Sequence, residues 1–217
     1  MLTWMRGAAR RLMTIALILG IAQTAAAAGS WRDLHRPLHL PQLAAGEACP
    51  VSTVDQRVDW ESANIFGGSG IGRGPAYPGL GGADPVGHFD APTRVHGMFG
   101  EKLFWYVRPS HRGRILVRGR QLDGGGVVGW LGRRRGVVRE LRIKPGQTVT
   151  WRGQPPGSRG VPTGTLVSGS GCYAVQIDGA RFSRTIVFTA STPSAGSAPL
   201  QGSRGRERRD SNPRPPA

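Results

Sequence analysis

Residues 171–182 read Gly-Cys-Tyr-Ala-Val-Gln-Ile-Asp-Gly-Ala-Arg-Phe, and this stretch decides the fold. In an extended chain Tyr173, Val175 and Ile177 share one face, while Cys172, Ala174 and Gln176 take the other. Asp178-Gly179 is a turn signal, and residues 181–189 (RFSRTIVFT) are again β-branched and aromatic. The two runs therefore predict a β-hairpin at the end of the ordered chain.

Working back from the hairpin, short runs rich in Val, Ile, Phe, Tyr and Trp recur at 102–108, 114–122, 137–143, 148–151 and 163–167, with an extra candidate at 127–131. Turn signals separate them at 109–113, 123–126 and 145–146. About seven strands in about ninety residues is the count and spacing of a β-sandwich. The expectation is an all-β chain whose single antiparallel β-sandwich occupies residues 95–190.

The Gly171-Cys172-Tyr173 opening of the penultimate strand resembles the tyrosine corner of immunoglobulin-like domains, where the hydroxyl holds a nearby backbone group. That resemblance implies an immunoglobulin-like sandwich over 95–190. Cys172 lies between Gly171 and Tyr173 instead of two residues after the tyrosine, so the family's inter-sheet disulfide is not carried over. The whole chain is also similar to small exported proteins of GC-rich bacteria. Neither resemblance brings a catalytic residue.

Upstream, residues 29–94 form a Gly/Pro-rich arm. The run GGSGIGRGPAYPGLGGADP at 67–85 cannot be a helix and reads as loop. It is not a phosphate cradle, because it lacks GK[ST] and Pro75 and Pro78 interrupt it. Residues 51–60 and 64–66 are candidates for an edge strand and a wrap across a sheet, and Tyr77 for packing within an ordered loop.

The first 28 residues have the plan of a cleavable signal peptide: Arg6, Arg10 and Arg11, then an apolar run at 12–21, then small residues ending in A-x-A before position 28 or 29. The apolar run is shorter than the roughly 20 residues of a membrane span. The mature protein is therefore expected to be secreted or held at the cell envelope, and not integral to the membrane. Export also permits disulfides, and the chain has two cysteines, Cys49 and Cys172. Their bonding would tie the arm to the sandwich.

The net charge is +16, with only Lys102 and Lys144 as lysines. Three arginines belong to the leader and five to residues 201–217, yet what lies between remains basic. Part of the excess of Arg, Gly and Pro reflects GC-rich codons. Residues 191–217 lack apolar periodicity and read as disordered. Arg209 to Pro213 can be encoded by CGGGACTCGAACCC, whose reverse complement resembles a transfer-RNA T-arm, so the tail reads either as a run into such a gene or as a genuine basic tail. Arg114, Arg118 and Arg120 alternate along one strand face, and Arg133, Arg134 and Arg135 crowd a loop tip. These six are the candidate anion-binding residues, facing lipid headgroups or an anionic envelope polymer. Nucleic acid is not expected outside the cytosol.

No motif for a cofactor or metal stands out. Asp33, His35 and His39 are separated by Pro37, which breaks any helix that would align them. The enzymatic alternative is a small envelope hydrolase using the 55–96 segment, with His88, Asp90 and His96, or Asp55, Asp59 and Glu61 flanking Trp60, as its candidates. The leading expectation is a non-enzymatic binding or structural module of the envelope.

Overall fold

In the computed structural model, residues 30–63, 65, 68–80, 86–89, 95–132, 136–146 and 155–193 are described. The leader, the 148–151 strand candidate, Asp90, Arg133, Arg134, Arg135 and all residues after Pro193 lie outside them. Ten strands are found among the described residues: β1 (Ala76–Pro78), β2 (Val86–His88), β3 (Phe99–Val107), β4 (Ile115–Gln121), β5 (Val128–Leu131), β6 (Val137–Val138), β7 (Leu141–Ile143), β8 (Arg159–Val167), β9 (Gly171–Gly179) and β10 (Phe182–Ser191). They form two five-stranded sheets, ordered β1-β3-β8-β5-β6 and β2-β10-β9-β4-β7. The fold is all-β, as the strand pattern predicts.

The inner faces meet in one apolar core. Alternate residues of β9 (Tyr173, Val175, Ile177) face Trp105 and Val107 of β3, Trp130 of β5 and Phe188 of β10 within it. Each buried aromatic removes about 150–250 Å² from water, so these rings dominate the core's stabilisation. The Tyr173 hydroxyl donates to Gly169 O at 2.9 Å, closing the turn before β9.

The β9–β10 hairpin forms, but its turn is Ala180-Arg181, with Gly179 already paired to Phe182. Gly179 serves packing instead: a Cβ there would stand 2.2 Å from the Phe182 ring. Asp178 stays in the sheet because its carboxylate is held by Arg118 and Gln176.

Three further readings need correction. Residues 137–143 are not one strand: β6 pairs with β5 in one sheet and β7 with β4 in the other, and the chain changes sheet at Arg139-Glu140. The strand expected at 163–167 begins at Arg159, passing through Pro162. β5 pairs β8 only from Thr165 onward, so Pro162 sits where one edge of β8 is open and no ladder donor is lost. The Gly/Pro-rich run read as loop contributes β1, antiparallel to β3, and just beyond it β2 runs parallel to β10. That parallel pairing makes the second sheet mixed.

The arm covers the outer face of the second sheet. Arg36 donates to Phe182 O and Ala180 O, Gln176 Nε2 to Pro37 O at 3.1 Å, and His39 N to Gln176 Oε1 at 2.7 Å. Leu40 and Leu43 then pack on Cys172 and Ala174, and Cys49 is bonded to Cys172. The arm thus follows β9 from Asp178 to Cys172, and both faces of that strand are buried. Buried polar groups must be bonded; Gln176 meets this requirement through the arm's own backbone. The disulfide spans 123 positions and ties the arm to the sandwich, as expected.

Beyond Cys49 the arm crosses to the other sheet. Ser52 N donates to Val187 O and Val187 N to Ser52 Oγ, both at 2.9 Å, filling the β10 edge next to β2. Val54 bridges Ile71, and the helical turn Trp60–Ala63 brings Trp60 against Tyr77 and Tyr106 of the first sheet. Among the described residues, no helix is long and apolar enough to cross a membrane.

Candidate functional site

The site grows from the place where the arm crosses between the sheets. Asp55 follows the Val54–Ile71 bridge and is buried, with its carboxylate turned toward β1. Tyr77 of β1 donates its hydroxyl to Asp55 Oδ2 at 2.8 Å. Arg57 donates Nε to Oδ1 and Nη2 to Oδ2, each at 2.8 Å, and its backbone N–H also reaches Oδ1. Arg108, just past β3, reaches Oδ2 at 3.5 Å and lies over the Tyr77 ring, 5.6 Å from its centroid. The Arg57 bond is the chief cause that holds the Asp55 carboxyl well below the usual carboxylate range, against its burial. Burial first, and then the bond to Asp55, push the Tyr77 phenol up.

Two more arginines complete the group. Arg73 stands between Gly72 and Gly74, both with positive φ. Gly72 has no room for a side chain, since a Cβ would meet Ile186 at 2.5 Å, so this loop is seated on β10. Arg184 occupies the row of β10 that continues into Ile186 and Phe188, both core residues. At that row's open end it turns into a hollow instead of the core. The hollow, about 250 Å³, is lined by Arg57, Arg73, Arg108 and Arg184, with Pro75, Tyr77, Ser110 and Phe182 beside them. Four arginines thus line one space, and the carboxylate beside it, Asp55, is already engaged by Arg57, Tyr77 and Arg108. Among the described residues neither Arg73 nor Arg184 has a carboxylate partner; Arg184 bonds to Ser183 O.

A second hollow, about 580 Å³, is lined by His96, Met98, Val127, Val137, Arg139 and Ser168 among others. It is larger, and among the described residues Arg139 is its one arginine, against four in the smaller hollow.

The anion-binding candidates drawn from the sequence lie elsewhere, whereas Asp55, a candidate carboxylate, stands at the hollow but is taken up by Arg57, Tyr77 and Arg108. Arg118 donates to Asp178 Oδ2 at 3.0 Å and to Arg36 O at 2.6 Å, and only 17 % of its side chain is exposed. Its charge is committed to Asp178, which is fully buried. Arg114 lies over the Trp31 ring at 5.7 Å, Arg142 stacks on the same ring at 5.4 Å, and Arg120 is exposed on β4. Arg133, Arg134 and Arg135 fall outside the described residues. The alternating row of Arg114, Arg118 and Arg120 is therefore interrupted by an internal ion pair.

Among the enzymatic candidates, Asp59 caps the helical turn by accepting from Ser62 N and Ser62 Oγ, and Glu61 is exposed beside it. Trp60 is an anchor, its indole N–H donating to Asp55 O at 3.1 Å. His88 is exposed at the end of β2, His96 in a turn, and His35 is bonded to Glu140 at 2.8 Å. Asp59, Glu61 and His88 line neither hollow. Among the described residues no three His, Cys, Asp or Glu side chains form a metal-ligand group.

No protein-family model, curated protein or solved structure matches this chain. The four-arginine hollow is the feature from which function must be argued. Sequence reading missed it because its members stand at 57, 73, 108 and 184, with no local pattern. The one local sign was Arg184, an arginine in phase with Phe182, Ile186 and Phe188.

Proposed function

We propose that the chain is an exported, non-enzymatic binding module whose anion site is the Arg57/Arg73/Arg108/Arg184 hollow. The observation that carries this is that four arginines line one space and that, among the described residues, the carboxylate beside it, Asp55, is buried and fully engaged. Four like charges repel one another unless an anion joins them, and arginine's planar fork suits oxyanions. Export is supported by the leader-like first 28 residues and is consistent with the Cys49–Cys172 disulfide. The partner is an anionic envelope surface, a lipid headgroup or a wall polymer.

The test is co-sedimentation of the mature protein with vesicles containing phosphatidic acid and, as control, vesicles of phosphatidylcholine alone. Retention on the anionic vesicles is expected at low ionic strength and loss at high, as for exposed charge pairs. Arg73→Ala combined with Arg184→Ala should weaken retention without unfolding the protein, since both side chains are exposed. Retention that ignores salt, or that survives the double substitution unchanged, refutes the reading.

A further inference from the structure

We infer that the hollow takes a phosphate monoester in its dianionic form, which rests on the reading of the hollow as the anion site. Three features argue for this ligand over a carboxylate or a phosphodiester.

The first is charge. Among the described residues four arginines are set against Asp55, an excess that one negative charge does not match; a dianion leaves far less repulsion. The second is donor geometry. Asp55 holds Arg57 through both carboxylate oxygens and also meets Arg108, so these two guanidinium groups are fixed before any ligand arrives. Fixed donors lose less conformational freedom on binding than free surface arginines do. Arg73 and Arg184 line the space from a different loop and strand, and Ser110 lines it from a further segment. Arginines brought together from several segments suit the three terminal oxygens of a tetrahedral phosphate better than the two coplanar oxygens of a carboxylate. The third is size and lining. At about 250 Å³ the hollow is smaller than the usual small-molecule pocket of about 300–1,000 Å³. It has room for a charged head group, and Pro75 and Phe182 add apolar surface to its lining.

Titration calorimetry of the mature protein with methyl phosphate, dimethyl phosphate, acetate and sulfate, at fixed ionic strength and at pH 5 and 7.5, tests the assignment. A monoester loses its second proton near pH 6, so its dianion rises from about a tenth to nearly all of the ligand over that range. Methyl phosphate should therefore bind about tenfold more tightly at pH 7.5, whereas sulfate, a dianion throughout, should not change. Arg73→Ala and Arg184→Ala should each weaken methyl phosphate about tenfold, the scale of one charge-assisted hydrogen bond. Glucose 6-phosphate in solution and phosphatidic acid in vesicles carry the same group, and the tighter of the two identifies its source. If acetate or dimethyl phosphate binds as tightly as methyl phosphate while still depending on Arg73, the monoester assignment is wrong and the anion site stands. If no anion depends on Arg73 or Arg184, both readings fall.

Discussion

Tyr77 and Asp55, 22 positions apart, are joined by a hydroxyl-to-carboxylate hydrogen bond of 2.8 Å in a setting where both are buried. The bond fastens the arm to β1 and so positions Arg57 and Arg108 at the hollow. Asp55→Asn should destabilise the protein by about 2–3 kcal/mol, at or below the lower end for a broken buried ion pair, because the Arg57 partner is mostly exposed. Tyr77→Phe should cost about 1–2 kcal/mol through loss of one charge-assisted bond. The folded-state pKa of Asp55 is lowered, chiefly by Arg57. Its contribution is then complete above an ordinary aspartate pKa of about 4 and is lost as pH falls below it. Urea unfolding at neutral pH and at pH 3 should show the gap between wild type and Asp55→Asn narrowing in acid; a gap that is constant with pH contradicts the assignment.

The Cys49–Cys172 disulfide should contribute up to about 4–5 kcal/mol, since it closes a loop spanning 123 positions. A Cys49→Ala, Cys172→Ala double variant should show a lower urea midpoint. It should also be cut by protease within residues 36–49 faster than the wild type, because the remaining hold on β9 is a few hydrogen bonds and the Leu40 and Leu43 contacts. An unchanged cleavage rate would show that those contacts suffice alone.

The strands and the arginine site differ in how legible they are from sequence, for a physical reason. β9 and β10 are nine and ten residues long and rich in β-branched and aromatic residues, so their existence and pairing could be read from residue type. β1 and β2 are three residues each, too short for any period, and exist because β3 and β10 offer them open edges. The register of the β9–β10 turn was misread because Gly179 looks like a turn residue, whereas its lack of a side chain admits the Phe182 ring. Alternation puts Arg118 on one strand face with Arg114 and Arg120. What alternation could not reveal is that Asp178, sixty positions away, cancels its charge. The hollow is the extreme case, assembled from four separate segments that meet only once the arm crosses from one sheet to the other.

Asp178→Ala should be among the most damaging single changes. It strips the counter-charge from Arg118, which is 17 % exposed, and removes an acceptor from Gln176, which is fully buried. Breaking such a pair costs about 3–5 kcal/mol. Arg120→Ala, two residues along the same face but exposed, should change stability by less than about 0.5 kcal/mol. A double-mutant cycle between positions 118 and 178 should return a coupling of about 1–3 kcal/mol; a coupling near zero would mean that the pair adds nothing beyond packing.

His111 adds a pH dependence of opposite origin to that of Asp55 but the same sign. Its ring packs edge-on against Phe182 at 5.3 Å, and its Nε2 is buried without a partner among the described residues. Burial, and then the Arg159 guanidinium, lower its pKa, while hydrogen bonds involving the backbone at Gly113 and Arg114 oppose the shift. Arg159 cannot retreat: it is itself buried, and it donates to Lys144 O, His111 O and Gly113 O at 2.8–3.2 Å. Because the folded pKa lies below the unfolded one, the unfolded chain takes up the proton first as pH falls. Stability is therefore complete above the ordinary histidine value of about 6.5 and declines as pH drops below it. His111→Phe keeps the ring contact and cannot be protonated. In thermal unfolding between pH 7.5 and 5 the wild type should lose Tm and His111→Phe should lose less; equal slopes for the two proteins would assign the decline to other groups.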